Sequence, residues 1–299
     1  MTSRDAPLSL AAITDEFSPD DLDAALRAMS ALGMTGVELR MVWGKNVIDL
    51  SDAELDRATS MIHAAGMRVL SIASPVLKCV LPDAPPLDPR FQQDTFAARY
   101  GFDDQPALAR RAFDIAQRTG ASIVRVFSYW RTIDPPRVFD RVAHALQTLA
   151  GEAADRGLII GIENEHACHI GTGVETAALL DAVDHPALQV IWDPANALVA
   201  GETPFPDGYS QLPVSRIVHV HAKDCDVHDH TPTWGLIGDR SVRWRDQLDA
   251  LVRDGYRGFI SLETHWKGPH GDKMEASRLC GERLRALVAD ANAVATRGA

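Results

Sequence analysis

The sequence lacks a run of lysine or arginine, a closely spaced cysteine pair and a long apolar stretch. Its formal net charge is −11, and a negative surface repels phosphate backbones, which argues against a nucleic-acid partner. Its four cysteines are scattered without Cys-x-x-Cys spacing, so we expect free thiols in a reducing compartment. No apolar run approaches the roughly 20 residues that span a bilayer. With no secretory-type leader visible, these absences predict a cytoplasmic protein without a membrane partner, and they leave a homo-oligomer open.

Strands and helices are predicted to alternate along the whole chain. Apolar segments rich in β-branched residues predict the strands, and amphipathic segments that end at glycine predict most of the helices between them. The chain has 299 residues, a length that suits one α/β barrel. No glycine-rich fingerprint follows the first strand, which argues against a doubly wound dinucleotide-binding sheet. The sequence therefore predicts a single (β/α)8 TIM-barrel domain over residues 1–299, whose strands begin near Leu8, Gly36, Arg68, Ser122, Leu158, Leu188, Ile217 and Phe259.

One βα connection is predicted to be much longer than the others. It runs from about residue 74 to about 103, after a strand predicted over residues 68–73, and it contains five prolines. The βα rhythm resumes after it without a shift in composition, so it is not a linker between domains. Long loops inside compact domains are usually functional, often as lids or binding loops. An insertion without a role is the alternative.

Ionisable residues stand at the ends of the last four predicted strands. Glu163 ends the fifth, Asp193 the sixth, His221 the seventh and Glu263 the eighth. Because the active site of a (β/α)8 barrel lies at the C-terminal ends of its strands, these side chains are expected to converge. Three carboxylates and one imidazole suit Mn²⁺, Mg²⁺ or Co²⁺, with Zn²⁺ also compatible. Without a cation the three acids would repel one another and raise each other's pKa.

Four motifs at these strand ends resemble the xylose isomerase-like TIM-barrel superfamily. They are Gly161-Ile-Glu-Asn-Glu-His166, Trp192-Asp-Pro-Ala-Asn196, His219-Val-His-Ala-Lys-Asp224 and Ser261-Leu-Glu-Thr-His265. That superfamily includes sugar phosphate isomerases and epimerases, tagatose/psicose-type 3-epimerases, inosose dehydratases and endonuclease IV. The resemblance extends over nearly the whole chain. Its motifs are specific for the superfamily and weak for the reaction.

The resemblance implies one divalent metal ion, most simply Mn²⁺, held by Glu163, Asp193, His221 and Glu263. His221 is preferred to His219 because it lies nearer the strand end and precedes Ala-Lys-Asp. In the epimerases the two glutamates also form the acid/base pair, so the expected function is isomerisation or epimerisation of a small sugar or sugar derivative through an enediolate. An inosose dehydratase-like lyase and a non-catalytic sugar- or metal-binding barrel are the alternatives.

Two departures from the family pattern bear on the reaction. Asn196 stands where a histidine is common, and an amide can bind a hydroxyl but cannot carry a proton at neutral pH. Gly238-Asp239-Arg240 replaces a common Gly-Glu-Gly turn. The extra histidines that the trinuclear endonuclease relatives need are also missing from their places in this sequence. Together with the acidic composition, this argues against a nuclease.

Five residues near the strand ends are candidates for substrate contact. Arg40 is suited either to bind a carboxylate or phosphate of the substrate or to pair with Glu38 as part of the structure. Lys223 is suited either to contact the substrate or to neutralise the carboxylates of the metal ligands. The complete predicted set is Glu38, Arg40, His166, Asn196 and Lys223.

Overall fold

The structure, a computed structural model, describes residues 7–91 and 100–298, with side chains up to residue 294. In this part of the chain, eight parallel strands form a closed barrel, and eight α-helices lie among the connections between and after the strands. The barrel strands are β1 (Ser9–Ile13), β2 (Gly36–Leu39), β3 (Arg68–Val76), β4 (Ile123–Val126), β5 (Ile159–Glu163), β6 (Leu188–Trp192), β7 (Ile217–Ala222) and β8 (Phe259–Leu262). The helices are α1 (Leu22–Ala31), α2 (Asp52–Ala64), α3 (Gln105–Thr119), α4 (Phe139–Ala154), α5 (Gly173–Ala182), α6 (Pro194–Val199), α7 (Trp244–Arg253) and α8 (Lys273–Gly298).

The strands follow one another around the barrel in chain order. The barrel closes where β1 pairs in parallel with β8, in a register that sets Ser9 opposite Phe259 and Ala12 opposite Leu262. Every strand therefore has two neighbours, and the sheet has no open edge. This architecture confirms the predicted (β/α)8 barrel. It also brings the C-terminal ends of all eight strands to one mouth.

The packing explains why these segments form these elements. The strands are buried on both sides, by the barrel interior and by the outer helices, which is why they are apolar and β-branched instead of alternating. Helix α2 shows how a helix start is encoded, because the Ser51 side chain accepts from the Glu54 backbone N–H and Glu54 accepts in return from Ser51 N. Within the described residues, no helix is both long and apolar enough to cross a membrane.

Three local features differ from the sequence prediction. Strand β3 continues to Val76, since Val76 pairs with Val126 after an irregularity and Ser74 Oγ donates to Arg125 O at 2.5 Å. The long connection therefore begins at about residue 77, and residues 92–99 of the predicted loop lie outside the described residues. A short hairpin joins 41–42 to 45–46, and a longer one joins Asp224–His228 to Thr231–Gly235 after β7. Helix α6 is also absent from the prediction. The assignment of residues 1–299 to one domain stays a prediction.

A candidate metal centre at the barrel mouth

Four ionisable side chains meet at the C-terminal ends of β5 to β8. Glu163 is the last residue of β5, Asp193 and Glu263 directly follow β6 and β8, and His221 lies one residue before the end of β7. Each offers one ligand atom, and these atoms all lie within 4.8 Å of one another. All four side chains are buried. The structure thus brings the four predicted ligands into one candidate metal site.

Both glutamates of the cluster approach the same ring nitrogen of His221. Its Nδ1 is 3.2 Å from Glu163 Oε1 and 3.3 Å from Glu263 Oε2. Its Nε2 faces the opposite way, toward Glu38 Oε1 at 3.2 Å. His219 lies on the same face of the strand, with its Nε2 2.9 Å from Glu38 Oε1. The structure therefore groups His221 with the three carboxylates and places His219 in the layer beneath.

Asp193 is held in place from both sides of its backbone. Asn164 Oδ1 accepts from Asp193 N at 2.7 Å, and Asn164 Nδ2 donates to Asp193 O at 2.8 Å. The Asp193 carboxylate in turn caps helix α6, because its Oδ1 accepts from Asn196 N at 2.9 Å. One carboxylate oxygen is thus used by the fold, and the other is left for the site.

Two buried carboxylate oxygens of the cluster have no hydrogen-bond donor among the described residues. They are Glu163 Oε2 and Asp193 Oδ2. Each is paired with a cation, Glu163 Oε2 with Arg125 Nη1 at 3.2 Å and Asp193 Oδ2 with Lys223 Nζ at 2.9 Å. Buried acceptors without donors are uncommon and costly. A divalent cation that prefers oxygen ligands would satisfy both oxygens, so the residues fit such an ion.

The electrostatics of the cluster also favour a cation. Burial raises the pKa of Asp193 to about 6, and the nearby charges of Glu163 and Glu263 add to this effect while Lys223 opposes it. Burial alone would lower the pKa of His221, but the carboxylates of Glu38, Glu163 and Glu263 outweigh it and hold that pKa well above its usual value. In the absence of metal, His221 therefore carries a proton that a metal ion would have to displace.

Arg40 and Lys223 neutralise carboxylates of the site. Arg40 contacts Glu263 Oε1 at 2.9 Å, Asp15 Oδ2 at 2.9 Å and also Glu16. Lys223 Nζ lies 2.9 Å from Asp193 Oδ2 and 3.1 Å from Glu263 Oε2. The predicted alternative in which Arg40 pairs with Glu38 is wrong, because Arg40 extends toward the acids that follow β1 while Glu38 points into the barrel.

His166 and Asn196 line the side of the site next to Glu163. His166 Nδ1 is 3.0 Å from Asn196 Oδ1 and 3.0 Å from Glu165 Oε1. Asn196 Nδ2 donates to Glu163 Oε1 at 3.2 Å. Because both neighbours of Nδ1 are acceptors, this nitrogen carries the ring proton. Asn196 therefore contacts the candidate ligand Glu163 directly, and His166 is connected to it through Asn196.

Two buried cations near the site were not predicted from the sequence. Arg125 in β4 approaches Glu163 and stacks over Phe127, with Cζ 4.7 Å from the ring centre. Its signal was a lone charge inside the apolar strand Ile123–Val126, which implies an inward-facing partner. Lys78 lies 3.6 Å from Glu165 Oε2 and 4.4 Å from the centre of the Phe127 ring. It stands in the long connection, where no periodicity could mark it as buried.

A closed parallel barrel with an oxygen-rich cluster at its mouth defines a TIM-barrel protein with a candidate metal site. Comparison with known families identifies the family of TIM-barrel proteins to which the chain belongs. The family model described as xylose isomerase-like TIM barrel matches residues 26–284. The chain therefore belongs to the xylose isomerase-like TIM-barrel family, which confirms the resemblance stated from its motifs.

Individual relatives are distant and include enzymes of two reaction types. An inosose dehydratase of Lacticaseibacillus casei is 23% identical over 223 residues, which are 68% of this chain and 72% of that protein. The structure of an L-ribulose 3-epimerase aligns over 97% of both chains with a TM-score of 0.70 and 16% identity. A xylose isomerase-like TIM-barrel protein from Mycobacterium smegmatis in complex with magnesium aligns with a TM-score of 0.67 and 17% identity, over 95% of this chain and 97% of that one. At these identities the solved structures show a shared fold.

Proposed function

We propose that this protein is a divalent-metal-dependent isomerase or epimerase of a small sugar or sugar derivative, acting through an enediolate intermediate. The observation that carries the proposal is that Glu163 and Glu263 both approach His221 Nδ1, at 3.2 and 3.3 Å, within one cluster of four metal-ligand side chains. Two carboxylates that approach one point suit the removal of a carbon-bound proton and its return. The sugar substrate is suggested by the L-ribulose 3-epimerase among the similar structures.

In this proposal the metal ion is held by Glu163, Asp193, His221 and Glu263, with Mn²⁺ as the preferred ion. When bound, a divalent cation lowers the energy of negative charge on the carbonyl and hydroxyl oxygens of a substrate. Of the two glutamates, one removes the proton next to the substrate carbonyl and the other returns it. Arg40 keeps Glu263 in place through its contact at 2.9 Å.

Hydroxyl groups of the substrate are proposed to contact His166, Asn196 and Lys223. The Nδ1 proton of His166 is directed to Glu165 and Asn196, so its Nε2 is the nitrogen left to meet a substrate. Asn196 can donate to a hydroxyl but cannot exchange a proton with it. Proton transfer therefore falls to the two glutamates.

A dehydratase is the second candidate, and the similarity to inosose dehydratase favours it. It would begin with the same proton abstraction next to a carbonyl, after which the C–O bond to a neighbouring hydroxyl breaks and the departing hydroxyl takes up the abstracted proton and leaves as water. The buried ammonium of Lys223 lies beside the cluster and is placed to stabilise a departing hydroxyl. We place either activity in the cytoplasm, where the four buried free cysteines would remain reduced.

Exchange of substrate carbon-bound protons in D₂O tests both candidates. The protein would be incubated with Mn²⁺ and a panel of ketoses and inososes, and deuterium incorporation would be followed by NMR. Exchange with conversion to an isomer supports the isomerase, and loss of water supports the dehydratase. If no substrate exchanges although the protein binds Mn²⁺, the barrel only binds ligands and the catalytic proposal fails.

Variants of the two glutamates test the assigned roles. Glu163→Gln and Glu263→Gln should each reduce exchange by roughly 100-fold or more, the usual contribution of a positioned acid or base. Glu282→Gln is the matched control, since Glu282 lies on α8 and pairs only with Arg278 among the described contacts. Undiminished exchange in either site variant would exclude that residue from the acid/base pair.

A further inference from the structure

Glu38 makes its contacts inside the barrel, under the candidate metal centre. It belongs to β2, yet its carboxylate reaches His221 of β7, with His221 Nε2 3.2 Å from Oε1 and 3.3 Å from Oε2. The side chain is fully buried, and His221 lies between it and the mouth. A group in this position does not meet a substrate at the mouth. Its influence has to pass through His221.

The contact with Glu38 determines which nitrogen of His221 carries the proton. A neutral imidazole has one N–H and one lone pair. Both ring nitrogens of His221 face carboxylates, Nδ1 those of Glu163 and Glu263 and Nε2 that of Glu38. A metal ion held by Glu163 and Glu263 would displace the proton on Nδ1, whereas the Glu38 carboxylate stabilises the proton on Nε2, so that the lone pair is left on Nδ1. We propose that Glu38 is a positioning residue that fixes the tautomer and the ring orientation of His221 so that Nδ1 can bind the metal ion. This role replaces the substrate contact predicted from the sequence, and it rests on the proposed metal site.

Glu38 is itself held rigidly. His219 Nε2 lies 2.9 Å from its Oε1, and Ser261 Oγ donates to the same oxygen. Three groups from β7 and β8 therefore converge on one carboxylate of β2. These contacts restrain the Glu38 carboxylate, and through it they restrain the orientation of the His221 ring.

A purely structural role for the Glu38 carboxylate would have a different consequence. If Glu38 only satisfied the two histidines as part of the core, its loss would lower the stability of the fold and leave the geometry at Nδ1 unchanged. A positioning residue must in addition change how the site binds a metal ion. Metal affinity and the spectrum of a bound ion therefore separate the two roles.

The test compares Glu38→Gln with the wild-type protein. A glutamine keeps the shape but is neutral, and its amide N–H₂ can face Nε2 and favour the wrong tautomer. The affinity for Mn²⁺, measured by calorimetry on the full chain, should fall by roughly 10- to 100-fold. The visible absorption of bound Co²⁺ should change as well, because it reports the ligand geometry. Glu38→Asp, which retains the charge, should recover part of the affinity.

Glu202→Gln is the matched control. It neutralises a glutamate that accepts from the backbone N–H groups of Gly173 and Val174 at the start of α5 and that is not one of the groups around His221, so its Mn²⁺ affinity should stay within about threefold of wild type. Wild-type affinity with an unchanged Co²⁺ spectrum in Glu38→Gln would overturn the positioning role, and so would equal losses in Glu38→Gln and Glu202→Gln. If Glu38→Gln does not fold, the same two measurements on Glu38→Asp decide. A wild-type Mn²⁺ affinity and Co²⁺ spectrum in Glu38→Asp would overturn the positioning role, whereas a lower affinity with a changed spectrum would support it. A wild-type protein that binds neither ion would instead refute the metal site of the proposed function.

Discussion

Replacement of Lys223 by methionine tests whether the lysine and the metal ion share the same carboxylates. Lys223 is buried, and its Nζ lies 2.9 Å from Asp193 Oδ2 and 3.1 Å from Glu263 Oε2. Methionine has a similar length and no charge, so Lys223→Met removes the cation with little change in packing. The two carboxylates then lose a buried counter-charge.

The expected loss in the free energy of unfolding depends on whether each carboxylate can take up a proton or keep another cationic partner. Removing one partner of a buried ion pair costs about 3–5 kcal/mol when the other charge stays unpaired. Asp193 avoids part of this cost because its pKa, raised to about 6 by burial, allows it to take up a proton for at most about 1.4 kcal/mol at pH 7. Glu263 keeps the contact with Arg40 at 2.9 Å. We therefore expect a loss near the lower limit, about 3 kcal/mol, in the free energy of unfolding without metal.

The assay is urea unfolding at pH 7 with EDTA and, separately, with saturating Mn²⁺. A divalent ion would supply positive charge to the same oxygens, so the loss with Mn²⁺ should shrink to about 1 kcal/mol. By linkage, the difference of about 2 kcal/mol predicts that Lys223→Met binds Mn²⁺ about 30-fold more tightly than the wild type. Lys267→Met, at an exposed lysine, is the control. Equal losses in EDTA and in Mn²⁺ would refute the shared-carboxylate argument.

Three further predictions concern pH and packing. Surrounding carboxylates outweigh burial and hold the pKa of His221 well above its usual value, so metal binding must release a proton from the His221 ring. The Mn²⁺ affinity measured by calorimetry should therefore rise with pH through neutrality, and an affinity independent of pH would contradict this. Burial lowers the pKa of His169 to about 4, so the neutral ring contributes stability that is present above about pH 6.5 and is lost as the pH falls toward 4, up to about 3 kcal/mol. The variant His169→Gln should therefore lose less stability than the wild type between pH 7 and pH 4.5 in urea unfolding, and an equal loss would show that another group is responsible. Gly161→Ala would place a Cβ 2.7 Å from Ile191 Cγ1 in the adjacent strand. The overpacking should lower the free energy of unfolding by about 1–3 kcal/mol. An unchanged midpoint in urea unfolding would mean that the Ile191 side chain moves away freely.

The barrel and its four converging side chains could be predicted because both depend on local patterns. Apolar strands separated by amphipathic helices specify the βα rhythm, and in a barrel every parallel strand ends at the same mouth. Strand boundaries accurate to within a residue or two were therefore enough to predict the convergence of Glu163, Asp193, His221 and Glu263. The position of His221 over His219 followed from the same reasoning, since alternate residues of a strand share a face.

The partners of these residues could not be predicted because they depend on distances across the barrel. Glu38 and His221 are 183 positions apart in sequence, and their contact exists only once the barrel has closed. Arg40 lies just past the end of β2 and pairs with Asp15 and Glu263, which are 25 and 223 positions away in sequence, so its partners could not be read from its local sequence. Arg125 was overlooked because a single charge in a short strand carries little periodic signal.

Two polar layers lie one above the other inside the barrel, and carboxylate oxygens without donors occur in the upper one. In the lower layer, Glu38 is satisfied by His219, Ser261 and the inner nitrogen of His221. In the layer above, the outer nitrogen of His221 meets carboxylates, and two of the carboxylate oxygens, on Glu163 and Asp193, have no donor among the described residues. Buried acceptors without donors cost free energy wherever they lie. Other buried polar atoms in the described part of the chain, among them Ser71 Oγ, also lack a partner, but these two oxygens belong to neighbouring carboxylates at the mouth, where an ion can enter. This is a structural reason to expect a cation there.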